Sequence, residues 1–130
     1  MCSILKTINI PNSVTSIGDQ AFRNCPKLRN ITIPNGVTSI GNRTFYDCSS
    51  LPRITIPKSV VSIGKKAFLG CSNLISVYCL PATPPTGAEE MFVSGSTLLK
   101  IYVDTKCLGI YSRAPFWRNY TSYITGHDFS

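Results

Sequence analysis

Six cysteines, one histidine and an adjacent pair of glutamates are the residues of this 130-residue chain best suited to chemistry. Structural zinc needs close cysteine pairs such as C-x2-C, and Cys2, Cys25, Cys48, Cys71, Cys79 and Cys107 offer none. His127 stands three residues from the C-terminus, where chains fray, so it is a poor base for a serine or cysteine nucleophile. Glu89 and Glu90 are sequence neighbours, which seldom face one reacting atom, and no partner carboxylate is evident. The glycines form no phosphate-cradling pattern. The expectation is therefore a protein without catalytic residues, metal site or cofactor.

The cysteines instead report a period. Cys2, Cys25, Cys48 and Cys71 are each 23 residues apart, and the whole chain matches itself at that shift. Leu5/Leu28/Leu51, Ile8/Ile31/Ile54, Ile10/Ile33/Ile56, Pro11/Pro34/Pro57, Val14/Val37/Val60, Ile17/Ile40/Ile63, Gly18/Gly41/Gly64 and Phe22/Phe45/Phe68 coincide. The unit reads L-x-x-I-x-I-P-x-x-V-x-x-I-G-x-x-A-F-x-x-C, with Thr44 in place of alanine once. A degraded fourth unit keeps Leu74, Val77 and Cys79. One inserted residue then aligns Met91-Phe92 with Ala67-Phe68 and lets Leu98, Ile101 and Val103 supply a fifth frame. Pro81, Pro84 and Pro85 displace the V-x-x-I-G segment of the fourth unit, because proline has no N–H for a strand ladder.

The spacing implies the geometry. I-x-I alternation puts both isoleucines on one face of a strand. Proline ends that strand, V-x-x-I forms a second short one, and glycine serves the reversal after it. The A-F-x-x-C stretch is expected to make one turn of helix or 3-10 helix with Ala, Phe and Cys inside. One unit cannot bury its own apolar groups, so units must stack at about 4.8 Å per coil. The fold class that follows is a β-rich leucine-rich-repeat solenoid: a right-handed coil with a parallel concave sheet near 7–10, 30–33, 53–56, 76–79 and 100–103. A second line of strands is expected through 14–17, 37–40 and 60–63, stopping at the prolines. Stacked cysteines come within disulfide reach by Cα spacing, but parallel Cβ vectors fit the bond's torsion poorly. Buried, reduced thiols are the expectation for Cys2, Cys25, Cys48 and Cys71.

The 23-residue unit, with its V-x-x-I-G-x-x-A-F-x-x-C half, resembles the BspA-like class of leucine-rich repeats over about residues 1–103. The tail, with Ile101-Tyr102-Val103, Tyr111, Trp117 and Tyr120, is similar to the segment that often follows such arrays; Asp104 stands where a proline is usual. The resemblance implies a secreted or surface-anchored protein that takes part in adhesion.

Two regions are expected: repeats over 1–103 and a cap over 104–130. Leu108, Ile110, Tyr111, Phe116, Trp117, Tyr120, Tyr123 and Ile124 form an aromatic lid, with Pro115 splitting any helix in two. The chain starts inside a repeat, so its first coil should present an uncapped edge, open to another copy. No apolar run is long enough to span a membrane, and the first residues lack the pattern of a signal peptide.

Charge is uneven. Residues 1–79 carry nine Lys/Arg against two acids, whereas residues 80–130 carry four of each. The residues flanking the first isoleucine of each strand face outward onto the concave sheet. Arg53, Tyr78, Lys100 and Tyr102 form the best-stocked binding patch, pairing rigid rings with cationic donors. The expected role is a non-enzymatic protein-interaction module whose partner is a protein, a host matrix component or an acidic glycan. The alternatives are a spacer array or an anion-binding module. Nucleic acid is disfavoured, because no stacking series of aromatics runs along the face.

Overall fold

The computed structural model describes residues 4–92 and 98–129. Along the concave face run β1 (Thr7–Asn9), β3 (Asn30–Thr32), β5 (Arg53–Ile56), β7 (Ser76–Cys79) and β8 (Lys100–Asp104). Between them lie β2 (Ser16–Ile17), β4 (Ser39–Ile40) and β6 (Ser62–Ile63) on a second face. All pairings are parallel at a shift of 23, becoming 24 between β7 and β8, where Ser76 faces Lys100. The tail adds β9 (Ile124–His127), which lies parallel to β8 with Ile101 facing Ile124. The expected solenoid is present, with two differences on the concave face. The sheet gains a strand from the tail, and it is divided into β1-β3 and β5-β7-β8-β9.

A third hydrogen-bonded line closes each coil. Gln20, Phe22 and Asn24 donate N–H to the carbonyls of Asn42, Thr44 and Tyr46, at 2.8–2.9 Å. Arg43, Phe45 and Asp47 repeat this towards Lys65, Ala67 and Leu69. An α-helical turn would keep these N–H groups within its own segment, so the A-F-x-x-C stretch forms chained turns rather than the expected helical turn. Its reversals depend on Gln20, Arg43 and Lys66, with φ of 60°, 52° and 56°, and on Asn24, Asp47 and Gly70. The glycine of I-G therefore serves a different purpose. A Cβ at Gly41 would lie 2.7 Å from Asp19 N, and one at Gly64 would lie 2.5 Å from Asn42 N. Close approach of consecutive coils, not reversal, requires it.

The inward ladders form one core. Phe22, Phe45, Phe68 and Phe92 stack with centroids 5.2–5.6 Å apart. The buried Thr44 fits the alanine slot because its hydroxyl donates to Gly41 O at 2.8 Å and Gly18 O at 3.2 Å. At the start of β8 the sequence frame slips: Leu99 is 2% exposed and Leu98 is 69% exposed. Leu99, Ile101 and Val103 alternate as a plain extended strand, so Leu99 takes the core slot expected for Leu98. The second strand line also continues past the prolines, through a parallel bridge between Ser62 and Thr86.

The tail packs against the last coils, with the Trp117 ring 5.7 Å from that of Phe92. Short helical pieces occur here, at Thr105–Cys107, Trp117–Tyr120 and in α1 (Leu108–Arg113), with Pro115 between the last two. Tyr111, Trp117 and Tyr120 are buried, while Ile110 and Phe116 remain largely exposed. Trp117 Nε1 donates to Pro85 O at 2.8 Å, and the Tyr111 hydroxyl donates to Pro81 O. Aromatic side chains thus satisfy carbonyls that a next coil would otherwise meet.

Candidate functional site

The concave face holds the candidate site. Outward residues of β5, β7, β8 and β9 form two rows. Arg53, Ser76 and Lys100 are in register, as are Thr55, Tyr78, Tyr102 and Thr125. All four expected residues share this face. Arg53 and Lys100 are exposed, separated by Ser76 and hence by about 10 Å, two strand spacings. Tyr78 and Tyr102 are half-buried and stack on one another at 5.2 Å and 14°.

Two further residues complete the patch. His127 approaches Tyr102 edge-on at 5.5 Å, and Phe129 approaches Tyr78 at 6.4 Å. The expectation that His127 frays is wrong: it lies in β9 opposite Asp104. The signal was available, since the 23-residue shift carried past Val103 puts Ile124 in the slot of Ile101. Thr125 and Gly126, which stand where β8 has Tyr102 and Val103, hid it.

The electrostatics of this face are one-sided. Lys6, Arg29, Arg53 and Lys100 line the strands and their starts, and the single carboxylate among the outward strand residues is Asp104 at the far end of β8. Asp104 accepts Lys106 N at 2.9 Å, which explains how an acid serves in place of the usual proline. The one ion pair among the described residues lies elsewhere, where Lys65 Nζ meets Glu89 Oε2 at 3.9 Å. The shift to 24 is what sets Lys65 against Glu89 in the next coil.

The core thiols Cys48, Cys71 and Cys79 are held in their neutral form. Cys48 and Cys71 donate their S–H to the Phe22 and Phe45 carbonyls of the preceding coil, at 3.2 and 3.1 Å. Burial pushes the Cys48 thiol up to about 11 and that of Cys79 up to about 12, and raises Cys71 further still. One cysteine departs from the expectation of reduced thiols: Cys25 is disulfide-bonded. The Cys2 position of the ladder lies outside the described residues. No cluster of three or more His, Cys, Asp or Glu side chains suited to a metal occurs among those described. Nor is any described helix long and apolar enough to cross a membrane.

Comparison with known proteins places this geometry. No curated protein matches the sequence at a significant level. Among solved structures the chain is similar to the pneumococcal vaccine antigen PcpA, with TM-score 0.62 and 20% identity. That likeness covers 95% of this chain and 35% of PcpA, so the chain spans about a third of that protein's length. A leucine-rich repeat protein from Bacteroides ovatus is similar at 27% identity and TM-score 0.44, over 78% of this chain and 40% of the other. The BspA type leucine rich repeat region, in six copies, matches residues 1–121. With that match over nearly the whole of its length, the chain belongs to the BspA-type leucine-rich repeat family.

Proposed function

We propose that this protein is a non-enzymatic interaction module of a surface or secreted protein, and that it binds a protein partner across its concave face. The observation that carries the reading is the Tyr78–Tyr102 stack, held in register by β7 and β8 in the row next to the one that carries Arg53 and Lys100. Rigid tyrosines beside arginine are the side chains that most often anchor interfaces. No loop has to order before they engage, so binding avoids much of the entropy cost that mobile surfaces incur. His127 and Phe129 buttress the rings edge-on and extend the patch. A surface location accords with the family and with the pneumococcal antigen that shares the fold.

The test is a binding screen of immobilised matrix and cell-surface proteins, followed by substitution. Tyr78→Ala and Tyr102→Ala should each weaken binding by about 1–2 kcal/mol without unfolding the protein, since neither ring faces the core. A partner that binds the double variant as tightly as the parent would refute the concave-face assignment.

A further inference from the structure

Consecutive coils are joined on the concave face by a parallel ladder everywhere except between β3 and β5. The sequence supplies the cause. Arg29 N donates to Lys6 O at 2.9 Å, and Ile75 N donates to Pro52 O at 2.9 Å. The residue that should make the same bond between the second and third coils is Pro52 itself, which has no N–H. The other two faces stay closed at this junction, through β4–β6 and through Arg43 N to Lys65 O at 2.8 Å. The opening is therefore a slit confined to the concave side. It is lined by Arg29, Asn30, Thr32, Arg53 and Thr55 over the inward Ile31 and Ile54.

We propose that this slit receives a carboxylate, an Asp or Glu side chain of a protein partner. The inference rests on the concave face being the interaction surface and adds the chemistry of the contact. Because β5 pairs on its other side with β7, the N–H groups of Arg53 and Thr55 point at β3 and have no ladder partner. With two guanidinium groups and two threonine hydroxyls, they make a site rich in donors and positive charge, whose complement is an anion. A planar carboxylate matches both the arginine fork and a narrow gap between strands. An acidic glycan is the poorer fit. Its charges are spread along an extended chain, whereas the slit gathers its donors between two short strands.

Amide nitrogen–proton NMR on the full chain tests this, with sodium acetate titrated against sodium chloride at matched ionic strength. A tetraglutamate peptide and a heparin-derived tetrasaccharide form two further arms. The Arg53 and Thr55 amides should shift saturably with acetate and at least tenfold more tightly with the peptide, while chloride leaves them in place. Arg53→Gln, an exposed change that spares folding, should weaken the peptide at least tenfold. Pro52→Ile keeps both arginines but restores the N–H found at Ile75, so it should close the ladder and abolish the acetate shifts. A Pro52→Ile protein that binds acetate like the parent would overturn the slit as the site, as would absence of saturable shifts with acetate and peptide. A tetrasaccharide that saturates these amides below the peptide concentration would overturn the assignment to an acidic protein. Loss of partner binding in the Tyr78→Ala protein, with acetate shifts intact, separates the fate of this site from that of the tyrosine patch.

Discussion

Replacing Gly64 by alanine tests why each repeat carries a glycine after its second isoleucine. The added Cβ would stand 2.5 Å from Asn42 N, 2.5 Å from the Gly41 carbonyl carbon and 2.7 Å from Asn42 Oδ1. Two of these are main-chain atoms, so no side-chain rotation relieves the contact. Restoring ordinary separation opens the junction by about 1 Å, roughly the shortfall from normal van der Waals contact. That stretches Gly64 N to Ile40 O and Lys65 N to Asn42 Oδ1, both 2.8 Å. Two weakened hydrogen bonds at about 0.5–1.5 kcal/mol each, with overpacking of about 1–3 kcal/mol, give an expected loss of about 2–6 kcal/mol. Gly18 holds the same repeat position, but nothing lies within 4 Å of its added Cβ. Neither glycine has a positive φ. Gly18→Ala should therefore be neutral, or stabilise by about 0.4–1 kcal/mol through the unfolded chain. Urea unfolding of both variants at constant m value measures the contrast. Equal losses at the two positions would return the glycine to a role in backbone reversal and refute the stacking argument.

Other outcomes follow from the same geometry. In the native protein a thiol reagent at pH 8 should modify Cys107, with Cys48, Cys71 and Cys79 reacting only as the chain unfolds. The Cys48 thiol rises from 9.0 to about 11, so its neutral form is favoured on folding. The stability this contributes is complete below about pH 9 and is lost as pH climbs through 11, which chemical denaturation between pH 8 and 11 would reveal. Tyr111→Phe leaves the buried Pro81 carbonyl without its donor and should cost about 1–3 kcal/mol in thermal unfolding. Lys65→Ala removes an exposed pair and should cost under about 1 kcal/mol, its effect vanishing at high salt. Ile4 and Leu5 are exposed at the edge of the first described coil, so light scattering should detect self-association that Leu5→Lys reduces. A clean monomer at high concentration would count against that edge.

The solenoid was legible because its code is periodic: one shift of 23 aligns every inward ladder, and the shift to 24 correctly brings Lys65 to Glu89. What escaped the sequence was whatever depends on a neighbouring coil rather than on local pattern. Gly41 and Gly64 look like turn glycines until their contact with the previous coil is seen. Cys48 and Cys71 look like apolar fillers, yet each donates to a phenylalanine carbonyl 26 residues earlier. Leu98 and Leu99 are adjacent and alike, so only the extended start of β8 decides which is buried. Of the candidate patch, the common face of Arg53, Tyr78, Lys100 and Tyr102 follows from strand alternation, whereas His127 and Phe129 join it through a tail strand with weak apolar pattern.

Pro52 has a consequence beyond recognition. In an array where each coil touches only its neighbours, cooperativity is passed from junction to junction, and its reach depends on the weakest one. The second and third coils share two hydrogen-bonded faces where the third and fourth share three. Native-state hydrogen exchange should therefore divide the molecule there. Amides of the first two coils would open together at lower free energy, while the capped C-terminal coils exchange only through global unfolding. A chain that repeats itself evenly in sequence would thus unzip in two stages, with the seam set by a single imino acid.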